Sequence, residues 1–100
     1  MKTINDFAFD LITDELQKAK SKFPQWPTDI IHAAAIVAEE AGELVRAAVQ
    51  VTYEKKSITQ ALNEAVHTAA TAIRFIENYQ RMSGYRVNNT YDKEEYADNG

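Results

Sequence analysis

Glu40, a carboxylate set inside the apolar seam of a long helical pattern, constrains this chain more than any other feature. The stretch from Ala33 to Val51, AAAIVAEEAGELVRAAVQV, repeats its apolar residues at about 100° per residue, the mark of an α-helix. Its apolar face reads Ala34, Val37, Ala38, Ala41, Leu44, Val45 and Ala48. On the helical wheel Glu40 falls among Ala33, Ile36, Val37, Leu44 and Ala47, an edge that should meet another helix. Glu43 projects beside it one turn later. An ionised group taken out of water is costly unless it is paired or bound to a cation. The fold must therefore bring something to Glu40.

One hundred residues at 45% hydrophobic content support a single domain with a modest core, small enough that association with a second copy is expected. A net charge of −4 argues against a general nucleic-acid or anionic-membrane binder, which needs a basic surface. The chain has no cysteine, so disulfides, Cys-ligated zinc and a thiol nucleophile are excluded. The N-terminal stretch is acidic and lacks an apolar signal core, and no run approaches the roughly 20 apolar residues of a membrane span. The expectation is a soluble cytoplasmic protein, all-α, binding neither nucleic acid nor membrane.

Three long helices are predicted. The first covers residues 4 to about 21 with the stripe Ile4, Phe7, Ala8, Leu11, Ile12, Glu15, Leu16, Ala19, and Thr3 is its candidate N-cap. Two prolines in Phe23-Pro24-Gln25-Trp26-Pro27 force an extended connection, whose aromatics either plug the core or contact a ligand. The second helix starts at Thr28 or Asp29, with Thr28 able to cap it, and runs to about Tyr53. Gly42 in its middle suggests close approach of another backbone or a ligand. The third begins at Ser57, where Ser57 and Gln60 can form a capping box, and continues to about Met82 along Ile58, Ala61, Leu62, Ala65, Ala69, Ala72, Ile73, Ile76 and Tyr79. Short connections predict antiparallel neighbours, and the Ala-rich seams predict a bundle completed by dimerisation into a four-helix-type core. Residues 1–84 form the domain; residues 85–100 are polar and aperiodic, a flexible tail or an arm that orders on a partner.

The chemistry sits in two helical pairs. Glu40 and Glu43 on the second helix and Glu64 and His67 on the third share an i, i+3 spacing, so each pair projects from one face. An antiparallel turn at residues 54 to 57 brings the pairs toward each other, with an imperfect match in height. Clustered carboxylates suit a hard divalent cation such as Mg²⁺, which completes its shell with water and substrate phosphates. Such a cation would also recruit an anionic substrate to an acidic protein. The alternative is that these acids simply solvate a helix face, most plausible for the more outward Glu39. His32, two turns before Glu39, reads as structural rather than as a ligand.

The wording VAEEAGELVRA followed by EAVHTAATAIRFIEN resembles the all-α nucleoside triphosphate pyrophosphohydrolases, the MazG-like proteins, over about residues 23 to 80. Their signature is ExxE on one helix and ExxD on the next. The resemblance implies Mg²⁺-dependent hydrolysis of a (deoxy)nucleoside triphosphate to monophosphate and pyrophosphate, with Mn²⁺ as a possible replacement; the long helices and Ala-rich seams predict a homodimer or homotetramer. It makes Glu40, Glu43 and Glu64 metal ligands and Glu39 a catalytic acid that assists the metal or the attacking water. His67 stands where the family has aspartate, which moves metal preference toward Mn²⁺, Fe²⁺ or Zn²⁺ or gives His67 a supporting role. Trp26 matches the aromatic that stacks on the base. Lys55, Lys56, Arg74, Arg81, Arg86 and Lys93 are candidates for the remaining phosphate charge. Of these, Arg74 lies nearest to His67 on the wheel.

Two other readings follow from the same residues. Glu-x-x-His on a bundle helix also marks ferritin-like di-iron proteins, which need a second such motif and further glutamates. The loss of the fourth acid at His67 equally fits a helical interaction module that has given up turnover.

Overall fold

Each helix begins where a short polar side chain can hold its first free amides. The computed structural model describes residues 1–83, and these form three helices with no strand among them: α1 (Ile4–Lys22), α2 (Ile30–Tyr53) and α3 (Ile58–Ser83). Thr3 caps α1 through a reciprocal box with Asp6: the Thr3 hydroxyl accepts from the Asp6 amide and the Asp6 carboxylate accepts from the Thr3 amide. At α2 the cap is Asp29 rather than Thr28, its carboxylate accepting from the Ile31 amide at 3.0 Å. Ser57 holds the start of α3 by accepting from the Thr59 amide, and the expected capping box does not form there. Gln60 instead donates its side-chain amide to the Gln50 side-chain oxygen on α2. Residues 84–100, which include the expected tail at 85–100, lie outside the described residues.

The Gln60–Gln50 bond fixes the register of the α2–α3 hairpin, in which α2 and α3 run antiparallel. α3 is the central element. It packs against both α2 and α1, while α1 and α2 do not pack directly on each other. Lys20 on α1 pairs with Glu77 on α3 at 2.9 Å, and Glu15 approaches His67 at 3.6 Å, so α1 runs in the same sense as α3. The arrangement leaves a cleft between α1 and α2 with α3 as its floor.

Among the described residues the buried ones are few: Leu16, Ala33, Ala47, Ala61, Ala70, Tyr79 and, unexpectedly, Arg74. α2 is apolar around more than half of its circumference, and the stripe that meets α3 is centred on Ala33, Glu40 and Ala47 rather than on the expected apolar face. Ala34, Ala38, Val45 and Ala48 of that face point outward. On α3, Ile58, Leu62 and Ile76 are likewise exposed, and so are Ile4, Phe7 and Leu11 of α1. Ala34, Val37, Ala38 and Ala41 line an apolar trough of about 400 Å³ with Phe75 and Ile76 of α3. Gly42 does not mark close backbone approach within the chain, because a methyl group added there meets nothing within 4 Å. No described helix is long and apolar enough to cross a membrane.

Candidate metal centre and adjoining cleft

The hairpin register sets Glu40 about level with Ala70, so His67 and Glu64 lie one and two turns toward the loop. The reach of the side chains closes this offset. Glu40, Glu64 and His67 each offer a ligand atom within 4.8 Å of the others. Nδ1 of His67 lies 3.9 Å from a Glu40 carboxylate oxygen and 3.9 Å from one of Glu64. All three residues are half-buried. Burial pushes the Glu40 carboxyl above its ordinary range. His67 opposes that shift, and the charges of Glu64, Glu39 and Glu43 add to it. Glu40 is therefore the strained charge that its place on the wheel indicates, and His67 is its nearest compensating group.

The structure does not bring every expected site residue into this cluster. Glu39 and Glu43 are exposed and stand outside it, near enough for their charges to act on Glu40. Lys55 lies in the α2–α3 loop with a positive φ of 55°, exposed, and does not line the cleft. It sits roughly 20 Å along α2 from Glu40 at the α-helical rise. Lys56 is exposed in the same loop. His32 is exposed too, so it is no core residue, and it joins no ligand cluster. Arg86 and Lys93 lie outside the described residues.

Arg74 is only 6% exposed, the most buried charged residue among those described. Its guanidinium donates to the Phe23 carbonyl at 2.8 Å and to the Gln25 carbonyl at 3.5 Å, and lies 5.0 Å from the centre of the Trp26 ring. The Tyr79 hydroxyl donates to the Pro27 carbonyl, a second clasp between α3 and the proline-rich connection. This connection thereby becomes one wall of the cleft, a cavity of about 740 Å³ that also reaches Glu40 and His67. Two polar atoms in this wall are buried without a hydrogen-bond partner, Nε of Arg74 and Nε1 of Trp26. Buried donors left unsatisfied are costly.

Sequence reasoning missed three charged residues of the cleft: Glu15, Lys18 and Lys22, all from α1. The signal was present. Glu15 interrupts the apolar stripe of α1 just as Glu40 interrupts that of α2, and Lys18 and Lys22 share a helix edge at i, i+4. The α1 lysines rather than Lys55 are the cations placed where an anionic ligand would lie.

The residues fit a divalent cation, with two carboxylates and an imidazole converging at ligand spacing on a half-buried surface. Beside them the cleft offers an aromatic wall and three cations, and its volume suits a small organic molecule. Comparison of the chain with family models, with curated proteins and with solved structures finds no match.

Proposed function

We propose that the protein is a metal-dependent nucleoside triphosphate pyrophosphohydrolase, converting a (deoxy)nucleoside triphosphate to its monophosphate and pyrophosphate. The observation that carries this reading is the continuity of one cleft from the Glu40–Glu64–His67 cluster to the Trp26–Arg74 wall. A cation site and an aromatic-cationic wall in one cavity match the two ends of a nucleotide.

Glu40, Glu64 and His67 would hold the cation, Mg²⁺ or Mn²⁺, and Glu43, one turn away on α2 and outside the cluster, would join as a further ligand only by turning its side chain inward. When bound, the cation supplies neutralisation of phosphate charge and an acidified water. Lys18 and Lys22 line the cleft and offset the remaining phosphate charge. Trp26 offers a stacking surface that tolerates any base, braced on one side by Arg74. The Glu39 carboxylate, adjacent to Glu40, would assist the metal or the attacking water as a base, which requires it to turn in from its exposed position outside the cluster. The reaction needs no covalent nucleophile, only positioning and charge compensation.

The outward apolar stripe of α2 and its trough with Phe75 and Ile76 support a homodimer, or a homotetramer, in which a second copy covers this surface. Gly42 lies on the same helix with open space around it.

Pyrophosphate release from a panel of nucleoside triphosphates, measured with Mg²⁺ and with Mn²⁺, tests the reading. Monophosphate and pyrophosphate should appear in equal amounts, and Glu40→Gln should abolish them. No release from any nucleotide at high protein concentration would leave the non-catalytic module as the better reading. Tightly held iron with a visible chromophore would favour the di-iron alternative.

A further inference from the structure

His67 is contacted from both ring nitrogens, and the two sides differ. Nδ1 faces Glu40 and Glu64 at 3.9 Å each; Nε2 faces Glu15, which comes from α1, at 3.6 Å. A neutral imidazole carries one N–H, and the nitrogen that lacks it is the one able to bind a cation. An outer carboxylate that accepts from the far nitrogen fixes the tautomer, orients the ring and raises its basicity as a ligand.

We infer that Glu15 is the positioning carboxylate of a Glu15–His67–cation relay, its oxygen accepting from the Nε2–H of His67 so that the Nδ1 lone pair joins Glu40 and Glu64 around a divalent cation. The inference rests on the cation site proposed above and deepens it, since it names the cation class and the residue that selects it. Three elements converge on one imidazole, and α1 contributes nothing else acidic to the cleft. At 3.6 Å the Glu15–His67 pair stands just beyond hydrogen-bond range, and a side-chain adjustment of a few tenths of an ångström closes it.

A second observation in the same cleft lies further along α3 from the cluster. Arg74 is more than nine-tenths buried, lines the same cavity, and keeps Nε without a partner. An acidic cluster that merely solvates a helix face does not account for the unpartnered Nε of Arg74, two turns along α3 from His67 in the wall of the same cavity.

An imidazole ligand backed by a carboxylate suits a borderline cation better than it suits Mg²⁺. The relay therefore assigns the site to Mn²⁺, Co²⁺ or Zn²⁺ ahead of Mg²⁺. Glu15 restores next to His67 the negative charge that an aspartate at this position would have carried.

Two measurements on the full chain test the relay. The first is calorimetric Mn²⁺ binding to the wild type, Glu15→Ala, His67→Asp and the double variant. Glu15→Ala should weaken binding roughly 10- to 100-fold, the range for loss of an outer-shell partner. In the His67→Asp background the same change should leave affinity unchanged or raise it, because no imidazole remains to orient. Equal weakening in both backgrounds would make Glu15 a direct ligand or a general field effect and overturn the relay. An unaffected Glu15→Ala variant would overturn it as well. Failure of the wild type to bind Mn²⁺, Co²⁺ or Zn²⁺ would overturn the cation site itself, a distinct result.

The second measurement needs no substitution at Glu15. The chain has two histidines, so His32→Gln leaves a single imidazole for ¹⁵N spectroscopy. His67 should carry its proton on Nε2, and diamagnetic Zn²⁺ should shift Nδ1. The opposite tautomer, or metal on Nε2, would overturn the proposal whatever the variants do.

Discussion

Arg74 lies with its guanidinium 5.0 Å from the centre of the Trp26 ring while donating to the Phe23 carbonyl at 2.8 Å. One buried cation thus joins the middle of α3 to the connection between α1 and α2. It holds the cleft wall against a floor that the three helices would otherwise leave open. Its stacking on Trp26 leaves the other face of the indole as the stacking surface in the proposed complex.

Removal of Arg74 should accordingly cost stability as well as function. A buried charged hydrogen bond and a part-desolvated cation–π contact together are worth about 2–4 kcal/mol. Arg74→Ala should lower the unfolding free energy by that amount in chemical denaturation, seen as a lower midpoint with the slope unchanged. Arg74→Lys keeps the charge but loses the planar fork, and should recover only part of the loss.

Glu40 should give the metal-free protein a distinctive pH dependence. Its carboxyl is raised above the ordinary value, chiefly by burial. In the window between the unfolded and folded values the native state holds the proton more tightly. Stability from this group is then fully present below the unfolded carboxylate range and is lost as pH rises through the raised folded value. Thermal melts in chelator from pH 4 to 8 should show this fall in the wild type and a flatter profile in Glu40→Gln. At neutral pH without metal, Glu40→Gln should melt no lower than the wild type, while losing any stabilisation by Mn²⁺.

Substitution of His67 by Asp should move metal preference. An added carboxylate restores hard oxygen ligation, so Mg²⁺-dependent turnover should rise or hold, and the ratio of Mn²⁺ to Mg²⁺ activity should fall. Steady-state rates in the two metals at saturating nucleotide check this.

Trp26→Ala should act on substrate binding more than on chemistry. Base–aromatic stacking contributes about 1–3 kcal/mol, so KM should rise roughly tenfold or more with kcat little changed. Lys55→Ala should leave both constants near wild type, because Lys55 lies in the distant loop, whereas Lys18→Ala should raise KM.

The outward stripe of α2 should be an interface between copies. Ala38→Glu places a charge in the apolar trough beside Val37 and Phe75 and should shift the protein to monomer in light scattering coupled to size exclusion. A wild-type protein that is monomeric at tens of micromolar would count against the interface.

The sequence by itself determined the three helices, their breaks at Phe23–Asp29 and at the 54–57 loop, and the placing of Glu64 and His67 on one face of α3. Those features rest on local rules: the 3.6-residue period, the prolines, the caps, and the i, i+3 spacing that puts two side chains on one face. The hairpin register then brought Glu40 to them and left Glu43 outside. Tertiary structure decided which of the two apolar stripes of α2 meets α3, because both are apolar enough to pack and only the hairpin register chooses between them. It also decided the parts played by Glu15 and Arg74. Glu15 reaches His67 only because α1 lies along the side of α3, and no local pattern encodes that contact. Arg74, read along the chain as one basic residue among several, is buried because the proline-rich connection folds back over it and supplies carbonyls 49 and 51 residues away in sequence.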